Sequence, residues 1–185
     1  MSGKKVGVFG IYSTRAGVEN AVDALVRAGF PSPDISVLLP ESVAGTKEMG
    51  TEKTTKAPEG AAAGVTTGGV IGGTLGVLAG VGLLAIPGLG PFIAAGPIMA
   101  GLAGLGVGGA VGGATGALIG AGIPEFEAKR YEGRLRKGGI LLSVHCDTSD
   151  EVKRAKDVLK ATGAEDVTST GEASVDKDAK AARTY

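Results

Sequence analysis

The chain has one cysteine, one histidine and no tryptophan in 185 residues. A lone thiol excludes an intrachain disulfide framework and any cysteine-only metal cage, and it leaves the redox compartment open, with a reducing cytosol as the default. Charge of one sign is also lacking. The 19 basic and 19 acidic residues cancel, so no global field draws in nucleic acid, and no nucleic-acid partner is expected. Residues 1–5 and the short apolar run that follows lack the longer apolar core and small-residue cleavage site of a signal peptide, which predicts no export by that route.

Chemistry-bearing clusters are missing too. His145 and Cys146 are adjacent on a predicted strand and so point to opposite faces; with no second histidine or cysteine in the chain, neither a metal site nor thiol catalysis is expected. Gly7 and Gly10 lack the spacing and the following acidic residue of a dinucleotide fingerprint, and close packing explains them better. Gly45, Thr46 and Lys47 lack the rest of a phosphate loop. Nothing here argues for an enzyme or a cofactor, and no small-molecule ligand can be named.

What is present is unevenly distributed. Between Glu59 and Glu125, 65 consecutive residues carry no Asp, Glu, Lys or Arg and hold 22 of the 34 glycines. Within this block Gly60, Gly64, Gly68, Gly72, Gly76 and Gly80 recur at steps of four. Gly104, Gly108, Gly112, Gly116 and Gly120 repeat the step, with Ala100 and Gly96 extending the register upstream. Between the runs, "IPGLGPFIAAGP" supplies Pro87, Gly88, Gly90, Pro91 and Pro97, which read as a hairpin turn, Pro97 suiting the first turn of the next helix. Two helices are predicted, over roughly 60–85 and 97–121, each about 37 Å long.

Glycine costs about 1 kcal/mol relative to alanine in a helix interior, so nine in the first helix demand compensation. Glycine at every fourth position leaves a groove along which another backbone can approach closely. Flexible linkers, by contrast, carry serine and charge and show no such register. Helices apolar all round must be buried in protein or lipid. The length and lack of charge fit a spanning hairpin, with Lys53, Lys56, Lys129, Arg130, Arg134, Arg136 and Lys137 holding both ends cytoplasmic. Against that, many residues are only glycine or alanine, and no Trp or Tyr marks an interface. The alternatives are therefore a lipid bilayer partner and a self-assembled homo-oligomeric core.

The flanks read as one α+β domain. Residues 6–12 have strand composition. Ser13 or Thr14 caps a helix whose Val18, Val22, Leu25 and Val26 share a face, Gly29 stops it, and residues 35–39 form a second strand. Residues 140–146 are strand-like, Thr148 and Glu151 form a capping box, and Val152, Ala155, Val158 and Leu159 make the buried stripe of a helix. Gly163 stops that helix and residues 166–169 supply a fourth strand. "DALVRAGFPSPDISV" thus answers "KDVLKATGAEDVTS". Two strand-helix-strand units fold most economically as a ferredoxin-like sandwich, four antiparallel strands with both helices on one face. The expected organisation is 1–41 as the first half of this domain, 42–59 a polar linker and 60–122 an inserted glycine-zipper helical hairpin. Residues 123–170 form a connecting helix and the second half, and 171–185 a disordered tail. The connecting helix has Pro124 at its first turn and acids before bases; Ile123, Phe126, Tyr131 and Leu135 suit either a bilayer interface or docking on the sheet.

Three stretches, "VGVFGIYSTRAGVENAVDALVRAGF", "IPGLGPFIAAGP" and "GIPEFEAKRYEGRLRKGGILLSV", resemble bacterial general stress proteins of the heat-induced YflT-like type, with a glycine-zipper hairpin set within a small α/β domain. The resemblance covers about residues 5–170. It implies a stress-associated bacterial protein and transfers no catalytic residue. The expectation is a non-enzymatic protein whose hairpin mediates membrane association or homo-oligomeric assembly, at the cytoplasmic side of the inner membrane or in the cytoplasm. The alternative is a soluble ligand-sensing module whose hairpin only joins subunits.

Overall fold

The computed structural model describes residues 5–43, 82–86, 89–99 and 113–171. Strand β1 (Val6–Tyr12) leads into helix α1 (Arg15–Arg27), a 3-10 turn (Ser32–Asp34) and strand β2 (Ile35–Pro40). Strands β3 (Gly82–Ile86) and β4 (Gly90–Ala95) follow, then helices α2 (Gly113–Gly120) and α3 (Glu125–Leu135). Strand β5 (Ile140–Cys146), helix α4 (Ser149–Ala161) and strand β6 (Glu165–Gly171) complete the α+β chain.

The local signals act as read. Thr14 caps α1 by accepting from the Gly17 amide at 3.2 Å, and Thr148 and Glu151 close the reciprocal box at the start of α4. One position departs from the predicted stripes. Val26 is 44% exposed, while Ala21 joins Val18, Val22 and Leu25 in the core, since an angular step of 100° per residue carries position 26 off the stripe.

All six strands form one antiparallel sheet in the order β3-β4-β2-β5-β1-β6. Alternation assigns each strand's side chains to two cores. Val8, Tyr12, Val37 and Leu142 pack with Leu25 of α1 and Leu159 of α4. On the opposite face Phe9, Ile11, Leu38, Phe92 and Leu141 pack with Leu118 of α2 and Tyr131 and Leu135 of α3. Both faces are covered, which is why β1, β2 and β5 are nearly continuous in apolar residues. Close packing is required at Gly10, where a Cβ would lie 3.0 Å from the Ala164 Cβ just beyond α4 and 3.3 Å from Leu159 of α4.

The glycine block departs from its predicted form. The helix expected over 60–85 has given way to strand by Gly82. The turn expected from Pro87 to Pro97 contains β4, so Gly90 and Pro91 are strand residues. Short apolar runs bounded by Pro and Gly have no periodicity that separates a buried strand from a buried helix. Here the edge of β2 decides, since its buried residues need a neighbour on that side and β4 supplies one. Pro91, second in β4, is tolerated near a strand start, and its carbonyl accepts from the Glu41 amide at 3.1 Å. Of the helix expected over 97–121, residues 97–99 and Gly113–Gly120 are helical. Gly60, Gly64, Gly68, Gly72, Gly76, Gly80, Pro87, Gly88, Gly104, Gly108 and Gly112 lie outside the described residues, as do the polar linker from residue 44 and the tail from residue 172.

Candidate functional site

The sequence singled out the glycine block, and the described residues show how it is tied to the domain. β4 pairs with β2 at Val37↔Ala95, Leu38↔Ala94, Leu39↔Ile93 and Pro40↔Phe92. Ile93 and Ala95 enter the α1/α4 core, and Phe92 and Ala94 the α2/α3 core. Burying a side chain the size of Phe92 contributes roughly 2 to 3 kcal/mol, so packing as well as the backbone ladder holds this extension.

The chain then turns across β2 at Gly96. Its φ is +92°, and a Cβ there would sit 2.3 Å from the Ile35 carbonyl oxygen and 2.4 Å from Ser36 Oγ. This contact allows only glycine. Immediately after it, the Ile98 amide donates to Ser36 Oγ at 3.0 Å. Ser36 is buried on β2 and thus does for the helical turn at 97–99 what an N-cap residue does from within its own helix. Met99, the third residue of that turn, is fully buried.

The block returns as α2. Ala114 and Leu118 are buried in the core shared with α3 and the sheet. Gly116 and Gly120 stand two positions further on in each case, about 200° around the helix, and Gly120 is exposed. Of the register, Gly116 and Gly120 thus lie on the side of α2 away from Ala114 and Leu118, Gly116 half-buried and Gly120 exposed. α2 is fastened to α3 by Glu132, which accepts from the Thr115 amide at 3.2 Å and from the Thr115 hydroxyl. Arg136 reaches the other oxygen of the same carboxylate at 2.6 Å. The Thr115 hydrogen bond, followed by that of Arg136, holds Glu132 below the usual carboxylate range.

α3 docks on the sheet, with Ala128, Tyr131 and Leu135 buried. Phe126, read from the sequence as part of its apolar side, is 71% exposed with Arg130 stacked 4.8 Å from its ring centre. A polar clamp ties α3 to β6. Arg130 pairs with Asp166 at 2.8 Å, Arg134 with Glu165 at 2.5 Å, and Tyr131 donates to the Asp166 carbonyl at 2.5 Å. Asp166 has φ +51°, beside a register shift between Phe9 and Ile11 on β1. Burial pushes the Tyr131 hydroxyl up to about 12, so it remains a donor across the physiological range. A shallow cleft alongside is bordered by Ile11, Tyr12, Ser13, Arg134, Lys137 and Gly139. Its Arg134 is committed to Glu165, and Ser13 donates to that same carboxylate at 3.2 Å, which makes this a structural joint. The sequence reading missed the clamp. Its signal was Arg130 and Arg134, one helical turn apart, and the acidic pair Glu165 and Asp166.

The expected separation of His145 and Cys146 is present. Cys146 is buried in the α1/α4 core, and His145 on the other face lies 3.3 Å from Asp147. Among the described residues no three His, Cys, Asp or Glu side chains are grouped to hold a metal ion, and no helix is long and apolar enough to cross a membrane. No family model matches the chain, and neither a curated protein nor a solved structure is significantly similar to it.

Proposed function

We propose that the chain is a non-enzymatic assembly protein in which the glycine block joins copies of itself, carried on a ferredoxin-like domain enlarged by β3 and β4. The order β2-β5-β1-β6, with α1 and α4 packed on one face, supports the ferredoxin-like reading of the flanking segments. The observation that carries the functional reading is the outward glycine side of α2: Gly116 and Gly120 lie opposite the buried Ala114 and Leu118, in register with Gly104, Gly108 and Gly112. A groove on that side of the helix suits close approach of another backbone. Association with bacterial stress rests on the sequence resemblance.

The strands also bear on the choice between assembly and membrane spanning. Residues 44–81 begin and end beside one sheet, so a bilayer would have to be crossed an even number of times. One crossing takes about 20 apolar residues. The uncharged stretch before Gly82 spans 22, and the preceding 44–59 carries Lys47, Glu48, Glu52, Lys53, Lys56 and Glu59. Residues 100–112 number 13, too few for a crossing. Close packing against a second copy meets the same need for burial without a return path through lipid.

The test is light scattering on the full chain and on a Gly72→Leu, Gly112→Leu variant, with vesicle flotation of both. Assembly predicts a defined oligomer that the substitutions reduce in mass while the far-ultraviolet spectrum persists. Unchanged mass would overturn the reading, and flotation with resistance to carbonate would replace it with membrane insertion.

A further inference from the structure

Strand β6 is held against β1 in a different way from the strands further inside the sheet. In β1 every residue from Gly7 to Tyr12 is buried, and in β5 every residue except His145. None of the residues of β6 is buried, and Val167 is its one apolar side chain. Separating β6 from β1 therefore moves little of its own apolar surface into water, and water replaces the hydrogen bonds of the ladder.

The remaining restraint comes largely from α3 and is mainly ionic. Arg130 holds Asp166 at 2.8 Å and Arg134 holds Glu165 at 2.5 Å, both arginine side chains being 43% exposed. The second carboxylate oxygen of Asp166 lies 3.8 Å from Arg134 Nε and has no hydrogen bond among the described residues. Tyr131 adds its bond to the Asp166 carbonyl, and Thr170 one to the Gly122 carbonyl. The grip falls where β6 needs it, because the left-handed Asp166 sits beside the register shift that interrupts the ladder with β1. Ion pairs open to solvent weaken as salt screens them. We infer that β6 is a releasable strand closed by an ionic-strength-sensitive clasp on α3, and that its opening uncovers the buried edge of β1. Such an opening is local and leaves the rest of the sheet folded. It lies at the opposite end of the strand order from β3 and β4, and so stands or falls separately from assembly through the glycine block.

Native-state hydrogen exchange of the full chain tests the clasp, with β5 as the internal reference. Rates are compared at about 0.01 M and about 1 M sodium chloride, between which the screening length falls from about 30 Å to about 3 Å. The β6 amides are expected to exchange through one shared opening, more populated than that of β5. The higher salt should raise their rates relative to β5 by about threefold to tenfold. Arg130→Gln with Arg134→Gln should give fast β6 exchange already at low salt and remove most of the salt response. If β6 and β5 exchange together, if β6 is indifferent to salt, or if the double variant keeps the full salt response, the clasp is overturned. The wild-type salt series decides the matter by itself where the double variant does not fold.

Discussion

Ser36 and Ile98 lie 62 positions apart, yet the serine hydroxyl on β2 receives the amide that opens the helical turn after β4, at 3.0 Å. The bond converts a buried polar atom on a central strand into the anchor of the glycine block. Ser36→Ala leaves the half-buried Ile98 amide without that acceptor. The expected loss is about 1 to 2 kcal/mol of unfolding free energy, measured by urea denaturation. An unchanged midpoint would show that another acceptor serves Ile98.

Gly90 and Gly96 bracket β4 with nearly the same φ, +91° and +92°, but different surroundings. A Cβ at Gly90 meets nothing within 4 Å, whereas one at Gly96 collides with the Ile35 carbonyl and Ser36. Gly90→Ala should cost about 1 to 2 kcal/mol, the penalty for a left-handed non-glycine residue. Gly96→Ala should cost more and release the β4 amides to rapid hydrogen exchange. Equal effects of the two substitutions would contradict the close crossing over β2.

The elements outside the block were legible because each is specified locally. Thr14, Thr148 with Glu151, and the stripes of α1 and α4 are caps and periodicities contained within about a dozen residues. The fate of residues 82–95 was not legible, because "GLLAI" and "GPFIAA" are apolar without period and become strands through the long-range demand of β2 for a partner. The Ser36 cap and the α3–β6 clamp are similarly non-local: the basic pair on α3 and the acidic pair on β6 are each visible in sequence, but nothing local joins them. The four-residue glycine register is plain in the sequence, yet the side of α2 that Gly116 and Gly120 occupy becomes visible only from the burial of Ala114 and Leu118.

Glu132 of α3 holds α2 through Thr115 and pairs with Arg136 one turn on, and its carboxyl is held below the ordinary value by those contacts. A depressed folded-state value means that its stabilising contribution is complete above the unfolded-state value of about 4.3 and is lost as pH falls through the folded-state value. Urea midpoints of the wild type should therefore decline more steeply below about pH 4.3 than those of Glu132→Gln. Parallel curves would show that the carboxylate is not linked to folding.

Tyr131 makes the complementary prediction at high pH. Its hydroxyl is buried against the sheet, donates to Asp166 and ionises only near pH 12, mainly because burial penalises the phenolate. Folding thus favours the neutral form. The associated stability is present below the unfolded-state value of about 10 and is lost as pH rises from there towards the folded-state value. Tyr131→Phe should cost about 1 kcal/mol at neutral pH through the missing hydrogen bond. It should also remove a late-titrating step from the alkaline absorbance curve and flatten the decline in stability above pH about 10. Because the hydroxyl fastens α3 at the strained Asp166 turn, amides of β6 should exchange faster in the variant while those of β4 keep their rates. Equal acceleration in both strands would mean that the substitution loosens the whole sheet and that the clamp has no local role.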